Sequence, residues 1–185
     1  TGEVLYKSKI LPPLTTVNGK VIHRDWDYLQ YFINEARRLG LKVTVSTAMF
    51  PSGHPATNEG LVYEESRWDG KTCLEYTPDG KMLDIREDKK KVGAFLNPVR
   101  KDVRKFALSI VREIVKNYDV DAYALDYCRY PGDDSDFSAD SHKAFEHYLG
   151  KKVRNFPDNI FTWNADGTKN PGVYYKEWWA FRANV

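Results

Sequence analysis

The chain has 185 residues, enough for one domain with a real core. Hydrophobic residues make up 42% and charged ones 29%, and a formal net charge of +2 is too small to argue for nucleic acid. Its two cysteines imply no disulfide framework, and no run approaches the roughly 18–20 apolar residues of a membrane span.

Residues 1–24 read as loop, and their opening "TGEVLYKSKI" does not read as a signal peptide. Asp25 is placed to cap a helix running to Leu39, with Leu29, Phe32, Ile33 and Ala36 at helical spacing and Gly40 as the stop. "LKVTVSTAMF" (41–50) alternates and is β-branched, which predicts a strand closed by Pro51.

Residues 51–95 form a long interruption rich in Gly, Pro, Asn and charge, of the kind that tends to be functional. Within it Cys73 sits in a polar, loop-like stretch, "TCLEYTPDGKMLDI" (72–85) predicts a hairpin around "PDG", and "REDKKK" (86–91) reads as a solvated loop. The clearest helix is 95–118, with Asn97 as cap and Pro98 at its first position. Val103, Phe106, Ala107, Ile110, Val111, Ile114 and Val115 make one apolar stripe along it. The strand "VDAYALDY" follows. Ser138 or Asp140 caps a further helix ended by Gly150, "NFPDNIFTWNADGTKNPG" reads as loop, and 173–185 read as a last helix.

Two helix-then-strand units predict that residues 41–49 and 120–127 are adjacent parallel strands, with helices 26–39 and 99–117 outside them. Ligands in such folds bind beyond the carboxyl ends of the strands. Asp126, Tyr127, Arg129 and Tyr130 lie at that end, whereas Asp121 lies at the entry, where an acid is structural. Burying an unpaired carboxylate is costly, so Asp126 either braces the loop through Arg129 or does chemistry as acid, base or nucleophile. Glycoside hydrolysis needs two carboxyl groups, and the candidates for the second are Asp133, Asp134, Asp136, Asp84, Glu64, Glu65 and Glu177.

Other chemistries find no pattern. His23, His54, His142 and His147 have no zinc-site spacing, so no metal is expected. GxGxxG, GxxxxGK[ST] and GxSxG do not occur, and no cofactor is expected. Twelve Tyr and five Trp beside nine Phe do fit a carbohydrate partner, because an aromatic face with a polar rim suits a sugar.

"GEVLYKSKILPPL", "YFINEARRLGLKVTV", "FLNPVRKDVRKFALSIVREIVKNYDVDAYALDYCRYPG" and the closing "WWAFRANV" resemble the glycosyl hydrolase-like 10 family over nearly the whole chain. The resemblance implies a (β/α)₈ TIM-type barrel, of which this chain would be an incomplete internal portion forming a single catalytic-type domain. It implies a glycoside hydrolase acting on a bacterial or environmental polysaccharide, in some members peptidoglycan glycan strands, in proteins that are exported and periplasmic or outer-membrane-anchored. The rival is a non-catalytic carbohydrate-binding protein on the same scaffold. The residues carried over are Asp126 as catalytic carboxyl and Tyr127, Arg129, Tyr130, Asn97, Trp178 and Arg182 toward substrate. Trp178 and Trp179 also fit simple packing. The family's usual glycine and polar residue are replaced here by Ala122 and Ala124.

Overall fold

The structure, a computed structural model, describes residues 2–17, 20–22 and 25–185, so His23 lies outside the described residues. In chain order the elements are β1 (Thr16–Val17), β2 (Lys20–Val21), α1 (Tyr28–Arg38), β3 (Thr44–Ala48), α2 (Leu61–Glu64), a 3₁₀ turn (Ser66–Trp68), β4 (Leu74–Tyr76) and β5 (Met82–Asp84). They continue with α3 (Lys101–Asn117), β6 (Ala122–Asp126), α4 (Ala139–Leu149), β7 (Phe161–Trp163), β8 (Lys169–Pro171) and α5 (Tyr175–Ala183).

The spine is the parallel pair β3–β6, in register from Thr44 opposite Ala122 to Ala48 opposite Asp126. Val45 and Tyr123 turn toward α1 and α3, where Ile33, Ala36, Val43, Ile114 and Tyr118 are buried together. The other face carries Thr44, Ser46, Ala48, Ala122, Ala124 and Asp126, all exposed. At the entry Asp121 accepts the Val43 N–H at 2.7 Å and pairs with Arg37 at 2.5 Å, the structural brace that the sequence predicts. The chain is therefore α/β, but β3 and β6 stand as a two-stranded sheet and close no barrel among the described residues. The remaining sheets are antiparallel pairs.

Several boundaries differ from the sequence reading. Asp27, not Asp25, caps α1: its Oδ1 accepts the Gln30 N–H at 3.0 Å. Phe32 is 53% exposed, because the stripe facing the sheet is the narrower one through Ile33 and Ala36. Helix α3 begins at Lys101, because residues 97–100 close a turn in which Arg100 N–H reaches Asn97 O at 3.2 Å. Val115 is 55% exposed, beyond the buried edge formed by Val103, Ala107 and Ile114. Gly40 (φ +70°) and Gly150 (φ +67°) take the left-handed positions expected after α1 and α4, and Ser138 caps α4.

The 51–95 stretch is no bare loop. It contains α2, the 3₁₀ turn and the predicted hairpin β4–β5, and it packs Leu61, Val62, Trp68, Cys73, Ile85 and Phe95 against α3. Cys73 is fully buried, and burial raises its thiol pKa well above the usual range. Residues 161–171, read as loop, form the hairpin β7–β8, whose three-residue strands are too short to show alternation. Their neighbours Phe137, Phe145, Ile160, Trp178 and Phe181 make a separate aromatic cluster. No helix among the described residues is long and apolar enough to cross a membrane.

Candidate functional site

Asp126 is the last residue of β6, opposite Ala48, and its backbone carbonyl accepts the Met49 N–H at 2.8 Å. Pairing with β3 thus continues through the strand end, which fixes where the carboxylate emerges. Its side chain is exposed, and Oδ1 accepts the main-chain N–H of Tyr127 at 2.8 Å. Tyr127 itself holds φ at +46°, a left-handed conformation rare for a bulky residue and one that concentrates at functional turns. Its ring packs edge-on against Phe95, with centroids 5.9 Å apart.

The expected bond between Asp126 and Arg129 is not formed. Arg129 turns away and donates to the carbonyls of Tyr130 (3.1 Å) and Pro131 (3.3 Å), while its guanidinium lies 5.0 Å from the Tyr127 ring centroid. The loop needs those carbonyls satisfied as it folds over "YPG", and the two N–H groups of Arg129 Nη1 serve both at once.

Tyr130 and Arg182 come together. The Arg182 guanidinium is sandwiched between the rings of Tyr130 and Trp179, 4.5 Å from each centroid, and Nη2 donates to Gly132 O at 2.6 Å. Helix α5 is thereby tied to the loop after β6. Burial lowers the Arg182 pKa and raises that of the Tyr130 phenol. Two cavities open beside this sandwich, of about 210 Å³ and about 540 Å³, sharing Cys128, Arg129, Tyr130 and Arg182 as lining. Asp126 lines neither.

Asn97 and Trp178 sit inside the protein rather than on a cleft. Asn97 is buried, donates to Asp136 Oδ2 (2.5 Å) and Ser138 Oγ (3.0 Å), and accepts the Val99 N–H (3.0 Å). Trp178 is fully buried and stacks on Phe137 at 5.1 Å.

The acids named as possible second carboxyls are mostly committed elsewhere. Asp136 is buried and accepts from Asn97, Ser138, Ser141 and the Leu74 N–H, and burial raises its pKa against those bonds. Asp133 pairs with Lys169, Asp134 with Lys91 and Asp84 with Arg86. Glu64 accepts the Gly60 N–H, Glu65 pairs with Arg67, and Glu177 lies in the first turn of α5. Sequence reasoning missed Glu75, which is 2% exposed on β4 and ion-paired with Lys91. Burial pushes its pKa up to about 7 against the pull of Lys91. Its one sequence signal is an acid between Leu74 and Tyr76 in a strand. Lys91, the end of the supposed solvated run, is drawn inward to meet it.

These features coincide with the comparisons. A family model described as glycosyl hydrolase-like 10 matches residues 1–171, from the N-terminal loop through β8. An S-layer-related protein of Niallia circulans is 37% identical over 166 residues, covering 87% of this chain and 10% of that protein. The chain thus spans a tenth of that relative's length. With the match running through both strands of the parallel pair and the loop after Asp126, the chain belongs to the glycosyl hydrolase-like 10 family.

Proposed function

We propose that the chain carries part of the active site of a glycoside hydrolase acting on a bacterial polysaccharide, cell-wall glycan strands included, with Asp126 as one catalytic carboxyl. The observation that carries the reading is the position of Asp126. It ends a parallel strand, stands exposed beside small residues, and is held by the N–H of a residue in left-handed conformation. An acid so placed can lose or accept a proton at a sugar without first breaking an ion pair. Tyr127, Arg129, Tyr130 and Arg182 would line the substrate path, with Asn97 and Trp178 supporting the loop from beneath. Both outer edges of β3–β6 are unpaired among the described residues, which fits a (β/α)₈ barrel whose other strands lie outside this chain. The name of the S-layer-related relative supports an exported or cell-surface location.

A second reading is carbohydrate binding without catalysis, favoured by the commitment of Asp133, Asp134 and Asp84 to basic partners. One experiment separates the two: hydrolysis of a panel of bacterial glycans by the full-length protein and its Asp126→Asn variant. Loss of turnover with an unchanged melting temperature supports the enzyme. Unchanged turnover dismisses Asp126 as catalytic, and glycan binding without any turnover leaves the binding reading.

A further inference from the structure

The loop that leaves Asp126 is tied to the 51–95 stretch. Both carboxylate oxygens of its Asp134 accept from Lys91 Nζ, at 3.4 Å and 3.2 Å, and Lys91 is also ion-paired with the buried Glu75. Gly132 leaves the room for this, since a Cβ there would strike Asp134 Oδ1. The side chains of Lys91 and Asp134 are 22% and 28% exposed, so water screens this pair less than it does Lys169 with Asp133, where the acid is 68% exposed. The main chain follows the same line. Tyr76 N–H reaches Asp134 O at 2.8 Å and Phe137 N–H reaches Leu74 O at 2.9 Å, which lays residues 134–137 along β4.

The chain on the Lys91 side is equally fixed. A few residues on, Ala94 N–H donates to Gly53 O at 2.8 Å and Leu96 N–H to Phe50 O at 3.0 Å, and between them Phe95 carries the ring that packs on Tyr127. A circuit therefore closes beside the acid: from Asp126 to Tyr127, along the loop to Asp134, across to Lys91, on to Phe95 and back to Tyr127. Tyr127 holds φ at +46°, and a bulky residue keeps such a conformation only where its surroundings over-determine it. Pairing of β6 with β3 holds the chain before Tyr127, and the half-buried crossing from Lys91 to Asp134 holds the chain after it.

We infer that Lys91 is a positioning residue for the reaction: through Asp134 it fixes the course of the loop after β6, and with it the direction of the Asp126 carboxylate. The inference rests on the glycosidase reading and adds to it a residue that acts through another. A bare structural brace would lower stability and leave turnover of the folded protein alone. A positioning residue moves kcat, because a slightly displaced carboxylate meets the transition state badly. Ground-state binding of the glycan, and so KM, stays where it was. Glu75 provides the contrast, because it shares Lys91 but lies on β4, outside the circuit.

The test compares Asp134→Asn, Lys91→Met, the double variant and Glu75→Gln with the parent. Asp134→Asn keeps the backbone carbonyl that Tyr76 N–H reaches and leaves the Glu75–Lys91 pair in place, so it decides the matter should Lys91→Met fail to fold. Two readouts are taken below the melting transition. One is reducing-end release by the unlabelled full-length proteins from the panel of bacterial glycans, cell-wall glycan strands included. The other is the fluorine NMR resonance of a trifluoroacetonyl label on Cys128, which is exposed on the loop just beyond Tyr127, whereas Cys73 is fully buried. The expected result is kcat lowered roughly tenfold in Asp134→Asn and in Lys91→Met, with KM within about twofold. The double variant should lose no more than either single one, and all three should show a shifted or split resonance. Glu75→Gln should match the parent in kcat and resonance, though not in stability. Unchanged kcat or an unchanged resonance in Asp134→Asn overturns the inference, as does an equal loss of turnover in Glu75→Gln. The glycosidase reading survives those outcomes if Asp126→Asn abolishes hydrolysis. If the parent hydrolyses no glycan of the panel, the glycosidase reading falls and the positioning role falls with it.

Discussion

The carboxylate of Asp126 accepts the main-chain N–H of Tyr127 at 2.8 Å across a single peptide, and Tyr127 holds φ at +46°, turning the chain out of the strand just beyond that bond. The hydrogen bond orients the acid proposed to do the chemistry, the left-handed turn at Tyr127 stores strain directly after it, and the Phe95 ring packs against the tyrosine.

The strain can be measured. Tyr127→Ala and Tyr127→Gly both lose the ring contact with Phe95, so their difference isolates the backbone. Glycine meets no Cβ penalty at positive φ, and Tyr127→Gly should therefore be more stable than Tyr127→Ala by about 1 kcal/mol in urea unfolding. The opposite order would show that the loop relaxes out of the left-handed conformation once the ring is gone.

Much of the frame was legible in the chain because it obeys simple periods. Apolar residues three and four apart located α1 and α3, and alternation located β3 and β6. The reading failed where two residues compete for one role or where a distant partner decides. Asp25 and Asp27 both precede the same helical run. Only Asp27 is reached by Gln30, and the Lys7 N–H and Tyr118 hydroxyl also arrive there from remote segments. The site shows the same division. The position of Asp126 at a strand end followed from the pattern, whereas the stacking of Arg182 on Tyr130 joins residues far apart in sequence and no local pattern marks it.

The competition at α1 gives a direct comparison. Asp27→Ala removes the cap of the helix and leaves the Tyr118 hydroxyl and Lys7 N–H without their acceptor. It should destabilise the protein by about 1–2 kcal/mol in thermal or urea unfolding. Asp25→Ala should cost no more than about 0.5 kcal/mol, as an exposed substitution. Equal losses would return the cap to Asp25.

Asn97 offers a test of support against substrate contact. Its amide holds the buried Asp136 and the Ser138 hydroxyl, which itself caps α4. Asn97→Ala should lower stability by about 1–3 kcal/mol, because the buried Asp136 loses one charge-assisted bond while keeping those from Ser138, Ser141 and the Leu74 N–H. Below the melting transition KM for the glycan should stay within experimental error. A raised KM with unchanged stability would instead put Asn97 against the substrate.

Glu75 makes stability depend on pH in a direction opposite to that of most paired carboxylates. The hairpin buries it on β4, and desolvation outweighs the attraction of Lys91, so its pKa lies at about 7 rather than 4.5. An acid whose folded pKa lies above its unfolded one binds its proton more tightly when folded. Its contribution is therefore greatest below the unfolded value, falls as pH rises between about 4.5 and about 7, and stays at the lower level beyond. The loss across that window is on the order of 3 kcal/mol. Glu75→Gln has the same shape and no proton to give up, while Lys91 keeps Asp134 at 3.2 Å. Urea midpoints for the two proteins, measured across the window, should fall for the parent relative to the variant as pH rises. If the parent instead gains on the variant with rising pH, the ionised Glu75–Lys91 pair is a net stabiliser of the hairpin, and burial is the lesser force there.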